Sequence, residues 1–367
     1  MMWTGARARR GALLKLALLA AACSDDFGLS EVTGDDDTAT AMSVSGGEAT
    51  SESGDSSAGV TQPTGATGAT SGAGTAGTTG GEPPPPSGSS GCGLDGVTGT
   101  FHQSVDVMGQ ERTYFVSVPD DYDPAHEYPL VFGYHGGDDF GGQAMRDYLG
   151  LEWVEPAGGE IFVYPDASAV NNPGGTGWEY GVTDAAKADD AFFDAMLATM
   201  VSSYCIDENR VFVTGQSAGG GYTSQLACHR GDVLRAAVPV AANIVLCGDT
   251  TCSGWGGTHP SLCTGQPSVM QMHSPEDWIE YNPFGLGTFE YLASAAGCGV
   301  WTEQELMIAA LGTLPMSDIS TPTCQQREGC SGEMILCSYS GGHQIPGWGG
   351  PAEFEYAQVT MDFFRAL

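Results

Sequence analysis

A serine hydroxyl becomes a nucleophile near neutral pH only when a base removes its proton and an acid orients that base. The chain offers one such set in the order Ser217, Asp277, His343. Ser217 is the centre of Gly215-Gln216-Ser217-Ala218-Gly219. The chain holds 55 Gly, so G-x-S-x-G would arise by chance on the order of once. Context therefore carries more than the motif. Arg210 to Thr214 reads as a buried strand, and Ser217 to His229 as a helix. A serine on the tight turn between them would be held out at the carboxyl edge of a sheet. Small neighbours would let strand, helix and substrate approach closely.

His343 follows a strand-like run and two glycines, Gly341 and Gly342, which let a loop turn over the sheet. Asp277 lies just beyond the apolar run Ser268 to His273, with Glu276 as the neighbour that could replace it. His273 is expected to pack or hydrogen-bond at its strand end rather than act as a base. An oxyanion needs backbone N–H donors. Ala218, directly after the nucleophile, is one candidate, and the loop His135-Gly136-Gly137-Asp138 supplies the other, with Gly137 preferred. Trp178 and Trp278 are candidates to stack on an aromatic acyl group or a sugar, or equally to fill the core.

The elements that must position these residues form a pattern. Arg112–Pro119, Pro129–His135, Glu160–Pro165, Arg210–Thr214, Arg235–Ala241, Ser268–His273 and Glu333–Ser340 read as strands. Helical periodicity covers Ala185–Tyr204, the stretch after Ser217, and Ala352–Phe364. Alternating strands and helices predict a mostly parallel central sheet with helices on both faces. Ligands of such a sheet bind at the carboxyl ends of its strands.

Residues 1–22 have the make-up of an export signal: Arg7, Arg9 and Arg10, then an apolar stretch too short for a permanent bilayer span. Ala20-Ala21-Ala22-Cys23 resembles a lipobox, which predicts cleavage before Cys23 and a lipid on its sulfur. Residues 23–91 are Gly, Ser, Thr, Ala and acidic, with no Lys or Arg, and are expected to be a disordered tether. Residues 92–367 have the composition of one large α/β domain.

The formal charge is −33, and four of the 12 basic residues lie in the export segment while no acid does. So acidic a surface disfavours nucleic acid and anionic lipid and suits a neutral substrate. Membrane contact is expected only through the anchor at Cys23. Besides Cys23, ten cysteines lie between Cys92 and Cys337. An even count behind an export signal predicts disulfides. A Cys205–Cys228 bridge is one candidate, since it would brace the turn at Ser217. Paired C-x-x-C spacing is missing, so neither a metal site nor a cofactor is expected.

From Cys92 onward the chain resembles the secreted α/β-hydrolases classed as polyhydroxybutyrate depolymerases and feruloyl esterases. The matching stretches are Arg112-Thr113-Tyr114, Val118-Pro119, Tyr128 to Val131 leading to His135-Gly136, and Tyr164-Pro165-Asp166 with Gly177-Trp178. They continue through Tyr204 to Asp207, Gly215 to Gly220, Pro239-Val240-Ala241 and Gly341-Gly342-His343 with Pro346-Gly347. The resemblance implies an α/β-hydrolase fold, with Ser217 as nucleophile, Asp277 as acid and His343 as base. Where that family has His-Gly-x-x-Asp before its acid, this chain has His273-Ser274-Pro275-Glu276-Asp277, followed by Trp278. The implied activity is a carboxylic ester hydrolase, on feruloyl-type esters of plant polysaccharide or, alternatively, on a polyhydroxyalkanoate. A third reading keeps the fold but not the catalysis, as a glycan-binding surface lipoprotein.

Overall fold

The computed structural model describes residues 88–137, 141–168, 177–179, 184–243, 263–280, 282–299, 323–347 and 355–367. The signal, Cys23, most of the proposed tether, Asp138, Cys247 and Cys252 lie outside the described residues.

Among the described residues, nine strands form one sheet in the order β1-β2-β4-β3-β5-β6-β7-β9-β8. They are β1 Gly99–Val107, β2 Gln110–Val118, β3 Tyr128–Tyr134, β4 Ile161–Pro165, β5 Ile206–Gln216, β6 Ala236–Val240, β7 Ser268–His273, β8 Thr323–Arg327 and β9 Met334–Ser338. The run β4-β3-β5-β6-β7-β9 is parallel throughout. β1, β2 and β8 join antiparallel at the two sides. Among the described residues, five α-helices alternate with the strands: α1 Gly142–Leu149, α2 Asp184–Ser203, α3 Ala218–His229, α4 Asn282–Ala295 and α5 Glu355–Ala366. With the crossing at β3 and β4 and the serine turn after β5, this is the α/β-hydrolase fold.

The apolar runs of the central strands are buried on both faces, as a parallel sheet covered by helices demands. Their side chains divide with a period of two. Leu130, Phe132, Ile161, Val163, Val211 and Val213 join one core with Phe192, Phe193 and Met196 of α2, Leu226 of α3 and Phe289 of α4. Val131, Phe162, Tyr164 and Phe212 join the other, with Met145 and Leu149 of α1 and Tyr356, Met361 and Phe364 of α5.

Four elements were not predicted. β1 hairpins onto β2 through Met108 (φ 55°) and Gly109 (φ 83°), a two-residue turn with both backbones left-handed. β8, α1 and α4 are the others. Four disulfides are described, and the Cys205–Cys228 expectation is overturned: Cys205 pairs with Cys92, and Cys228 with Cys263. Cys205 meets the N-terminal segment because Ser89 Oγ donates to Tyr204 O (2.7 Å) and accepts from Ile206 N (2.8 Å). Cys228, in the last turn of α3, meets the chain entering β7, where Thr264 N donates to Cys228 O (2.7 Å). Cys298–Cys330 and Cys324–Cys337 complete the set, the latter across directly paired residues of β8 and β9.

Glycine is sterically required where β5 turns into α3. A Cβ on Gly219 would lie 2.2 Å from Tyr134 O, and one on Gly220 2.6 Å from Val240 O. By contrast, a Cβ on Gly137 would meet no described atom within 4 Å. Gly219→Ala is therefore expected to cost about 3 kcal/mol or more, whereas Gly137→Ala should stay within about 0.5 kcal/mol. Denaturant midpoints of the two variants measure the contrast.

Candidate active site

Ser217 sits between β5 and α3 with φ 56° and ψ −125°, outside the usual range of an L-residue. The surrounding backbone holds it there: Ser217 N donates to Val240 O (3.0 Å), and Gly221 N donates to Ser217 O (2.9 Å). The side chain is thereby presented at the carboxyl edge of the sheet. Ser217 Oγ is 2.8 Å from His343 Nε2, and His343 Nδ1 is 2.9 Å from Asp277 Oδ2. The second carboxylate oxygen, Oδ1, accepts N–H bonds from Ile279 (3.0 Å) and Glu280 (2.9 Å). Asp277 is 2% exposed, so a charge there depends on these partners. Glu276 points elsewhere: its Oε2 accepts from Ser340 Oγ (2.7 Å).

The turn bearing His343 is tied down by residues not singled out from the sequence. Gln216 Nε2 donates to His343 O (2.9 Å), and Gly342 N donates to Ser274 Oγ (3.2 Å). Ser274 Oγ also accepts from Glu276 N (3.1 Å), so one hydroxyl links the acid turn to the histidine turn. Gln216 lies inside the G-x-S-x-G motif, which was the available signal; Ser274 carried none.

On the opposite lip, His135 is 2% exposed and organises the loop before Gly137. Its Nδ1–H donates to Gly136 O (2.7 Å), and its Nε2 accepts from Ala167 N (2.9 Å). That arrangement requires a neutral ring, and burial lowers its pKa accordingly. A Cβ on Gly136 would lie 3.0 Å from Gln216 Oε1 and 3.3 Å from Ser217 Cβ, so this loop lies directly against the serine turn. Ala218 opens α3, where helix N–H groups favour an anion. Gly136, Gly137, Tyr148, Gln216, Ser217, Ile279, His343 and Gln344 line a cleft of about 660 Å³.

The two tryptophans part ways. Trp178 is not a ligand platform: it is 4% exposed, stacked on Tyr222 (5.1 Å, 14°) and edge-on to Tyr134. Its indole N–H is consumed by His135 O at 2.8 Å. Trp278 is 80% exposed, beside the half-exposed Ile279 of the cleft wall.

Two buried acids were missed from the sequence, Asp189 and Asp190 of α2. Asp189 pairs with Arg112 at 2.8 Å; burial raises its pKa and the guanidinium opposes the rise. Asp190 accepts from Gln225 Nε2 (3.1 Å) and meets His229 Nδ1 at 2.9 Å, tying α3 to α2. Among the described residues, no group of His, Cys, Asp and Glu has the geometry to hold a metal ion.

No family model matches the chain. The curated relatives it matches include a probable feruloyl esterase C of Aspergillus clavatus, 28% identical over 285 residues that cover 76% of this chain and 90% of that protein. A feruloyl esterase D of Neurospora crassa is 34% identical over 165 residues, 42% of this chain and 53% of that protein. Among solved structures, a CE1 ferulic acid esterase from Anaeromyces mucronatus, in complex with ferulic acid, covers 55% of this chain and 81% of that one at 19% identity and a TM-score of 0.40. That likeness is too distant to carry the fold, which rests on the strand order and registers above.

Burial lowers the pKa of His273 as well as that of His135. The unfolded chain then binds more protons than the folded one from about pH 6.5 downward, so these rings make stability fall as pH falls through that window. Buried carboxyls held high, such as Asp189 and Glu280, act with the opposite sign just above their ordinary range. A difference against a variant isolates the histidine part. Melting temperature is expected to drop less steeply below pH 6.5 in His273→Gln than in the parent, measured by calorimetry from pH 8 to 5.

Proposed function

We propose that this feruloyl-esterase-like α/β-hydrolase cleaves carboxylic esters through an acyl-serine on Ser217. The observation that supports this most is the hydrogen-bonded line from Ser217 Oγ through His343 to the buried Asp277, opening on a cleft. Ser217 Oγ attacks the ester carbonyl carbon while His343 Nε2 takes its proton. Asp277 accepts from Nδ1–H throughout, which holds the ring and stabilises its positive charge. The oxygen that becomes anionic is received by the amides of Ala218 and Gly137. His343 then passes the proton to the departing alkoxide, and the alcohol leaves. Water attacks the acyl-serine, His343 takes its proton, and collapse returns the proton to Ser217 and releases the acid.

The substrate we favour is a hydroxycinnamoyl ester on plant polysaccharide, in line with the names of the relatives. Trp278 and Ile279 form an apolar lip beside the catalytic acid, suited to an aryl group or a sugar face. The four described disulfides suit an oxidising compartment. In the same reading, residues 24–87 are a tether and Cys23 carries the lipid that anchors it; the tether ends short of residue 91, because Ser89 and Gly91 are bonded to Tyr204, Ile206 and Val201 of the domain. Cys23→Ala should then release the enzyme from the envelope and abolish palmitate labelling; an unchanged distribution would remove the anchor.

Turnover of methyl ferulate by the purified protein is the direct test. Ser217→Ala should lower kcat by about 10⁴-fold or more and abolish labelling by a fluorophosphonate probe. Parent-like turnover in that variant would overturn the mechanism, and a parent protein inert to the probe would favour the glycan-binding alternative. Faster cleavage of hydroxybutyrate oligomers than of methyl ferulate would move the substrate to polyesters. Trp278→Ala should raise KM for aryl esters by about three- to tenfold while kcat stays within about twofold.

A further inference from the structure

We infer that His273 is a positioning residue for Asp277: its imidazole locks the turn 274–280 that aims the acid at His343. The inference rests on the reading of Ser217, His343 and Asp277 as the reacting set, and adds a fourth side chain that touches no substrate.

His273 is the last residue of β7 and is 1% exposed. Its Nε2 lies 2.8 Å from Glu280 O. A carbonyl oxygen can only accept, so Nε2 carries the proton. Burial disfavours the doubly protonated ring, which leaves it neutral. Glu280 is thereby gripped on both sides of its residue. Its carbonyl accepts from His273, and its N–H donates to Asp277 Oδ1 at 2.9 Å. Asp277 Oδ1 also accepts the N–H of Ile279, which leaves Oδ2 for His343 Nδ1. The line therefore runs from the His273 ring through the Glu280 backbone and the Asp277 carboxylate to the His343 ring.

Two further contacts fix the geometry. The Glu280 side chain is bonded by Asn243 Nδ2, from the end of β6 beside the serine turn. Gly285 of α4 leaves the space the ring occupies, since a Cβ there would lie 2.3 Å from His273 Nδ1. His273 Nε2 is 3.6 Å from Asp277 Oδ2, close enough to feel its charge but outside hydrogen-bond range. Among the described residues, the titratable groups facing the ring are Asp277, His343 and Glu280, and Ala242 after β6 brings only its backbone. Gly285 of α4 and Ser338, its partner on β9, bring none.

An ordinary buried histidine would matter only for stability. A positioning histidine matters through the one N–H at Nε2, and two variants separate these roles. The longer amide side chain introduced by His273→Gln reaches the place of Nε2, whereas the shorter one introduced by His273→Asn reaches only the place of Nδ1. Both are measured in the full chain against the parent and Ser217→Ala, with ester turnover from pH 5 to 9 and melting temperature.

His273→Asn is expected to lower kcat about 10- to 100-fold with KM within about threefold. A less well-held Asp277 stabilises the His343 imidazolium less. The acid limb of kcat/KM should therefore move to lower pH in His273→Asn. His273→Gln is expected to restore most of kcat and return the limb towards the parent position. Parent-like kcat and acid limb in His273→Asn would overturn the inference, as would equal losses in the two variants at equal melting temperature. Ser217→Ala separates the two failures: if it stays active, the underlying reading falls; if it is dead while His273→Asn matches the parent, only the role of His273 falls.

Discussion

The backbone of Ser217 is the constraint on which the site depends. A left-handed conformation at a non-glycine residue costs on the order of 1–3 kcal/mol and persists only where its surroundings leave no alternative. Here β5 must pass into α3 without a loop, and α3 must lie against the ends of β3 and β6. Gly215, Gly219 and Gly220 bring carbonyls of Tyr134 and Val240 within the space a side chain would need. Ala241, at the end of β6, is also left-handed (φ 47°), and its N–H donates to Met272 O (2.9 Å). Neighbouring parallel strands thus end in turns tied to the next strand, and Ser217, Asp277 and His343 follow the ends of β5, β7 and β9.

The two edges of the sheet are held by different means. Three of the four described disulfides lie at the edge away from the cleft: before β5, between the end of α3 and the entry to β7, and between the end of α4 and the entry to β9. At the carboxyl edge, besides Cys324–Cys337 near the end of β9, the ties are hydrogen bonds donated by Gln216, Glu280 and Asn243 and accepted by Ser274. Covalent links restrict the unfolded chain wherever they sit, but they aim side chains poorly. Directional bonds from rigid strand ends aim them well. The two buried acids of α2 fit the same scheme, because Asp189 and Asp190 are tolerated only with partners, and those partners fasten α2 to β2 and to α3.

What could be read from the sequence was what is local. The apolar runs from Leu130 to Tyr134 and from Val211 to Thr214 declare strands buried on both faces, and G-x-S-x-G after such a run declares the turn. The order of Ser217, Asp277 and His343 followed from placing each beyond a strand. What escaped depends on distant parts of the chain. Cysteine spacing cannot say that Cys205 faces Ser89 and Cys92 rather than Cys228. The β1–β2 turn uses Met108-Gly109, which lacks the Asn-Gly or Asp-Gly that advertises two left-handed residues. Asp189 and Asp190 look like ordinary acids of a solvated helix start until Arg112 and His229 arrive from β2 and α3.

Trp178 carries the same lesson into the site. An indole buries a large apolar body but must satisfy one N–H. Trp178 spends its face on Tyr222 and its N–H on His135 O, so no surface is left for a ligand. It still acts on the cleft. His135 is held by Trp178 at its carbonyl, by Ala167 at Nε2 and by the Gly136 carbonyl at Nδ1. Those three bonds fix the peptide plane leading into Gly137. A tryptophan that looks like a binding residue in the sequence therefore acts on the cleft through the backbone of the loop before Gly137. Trp278 has no such partner among the described residues, and it is 80% exposed on the turn that Asp277 closes onto Ile279 and Glu280.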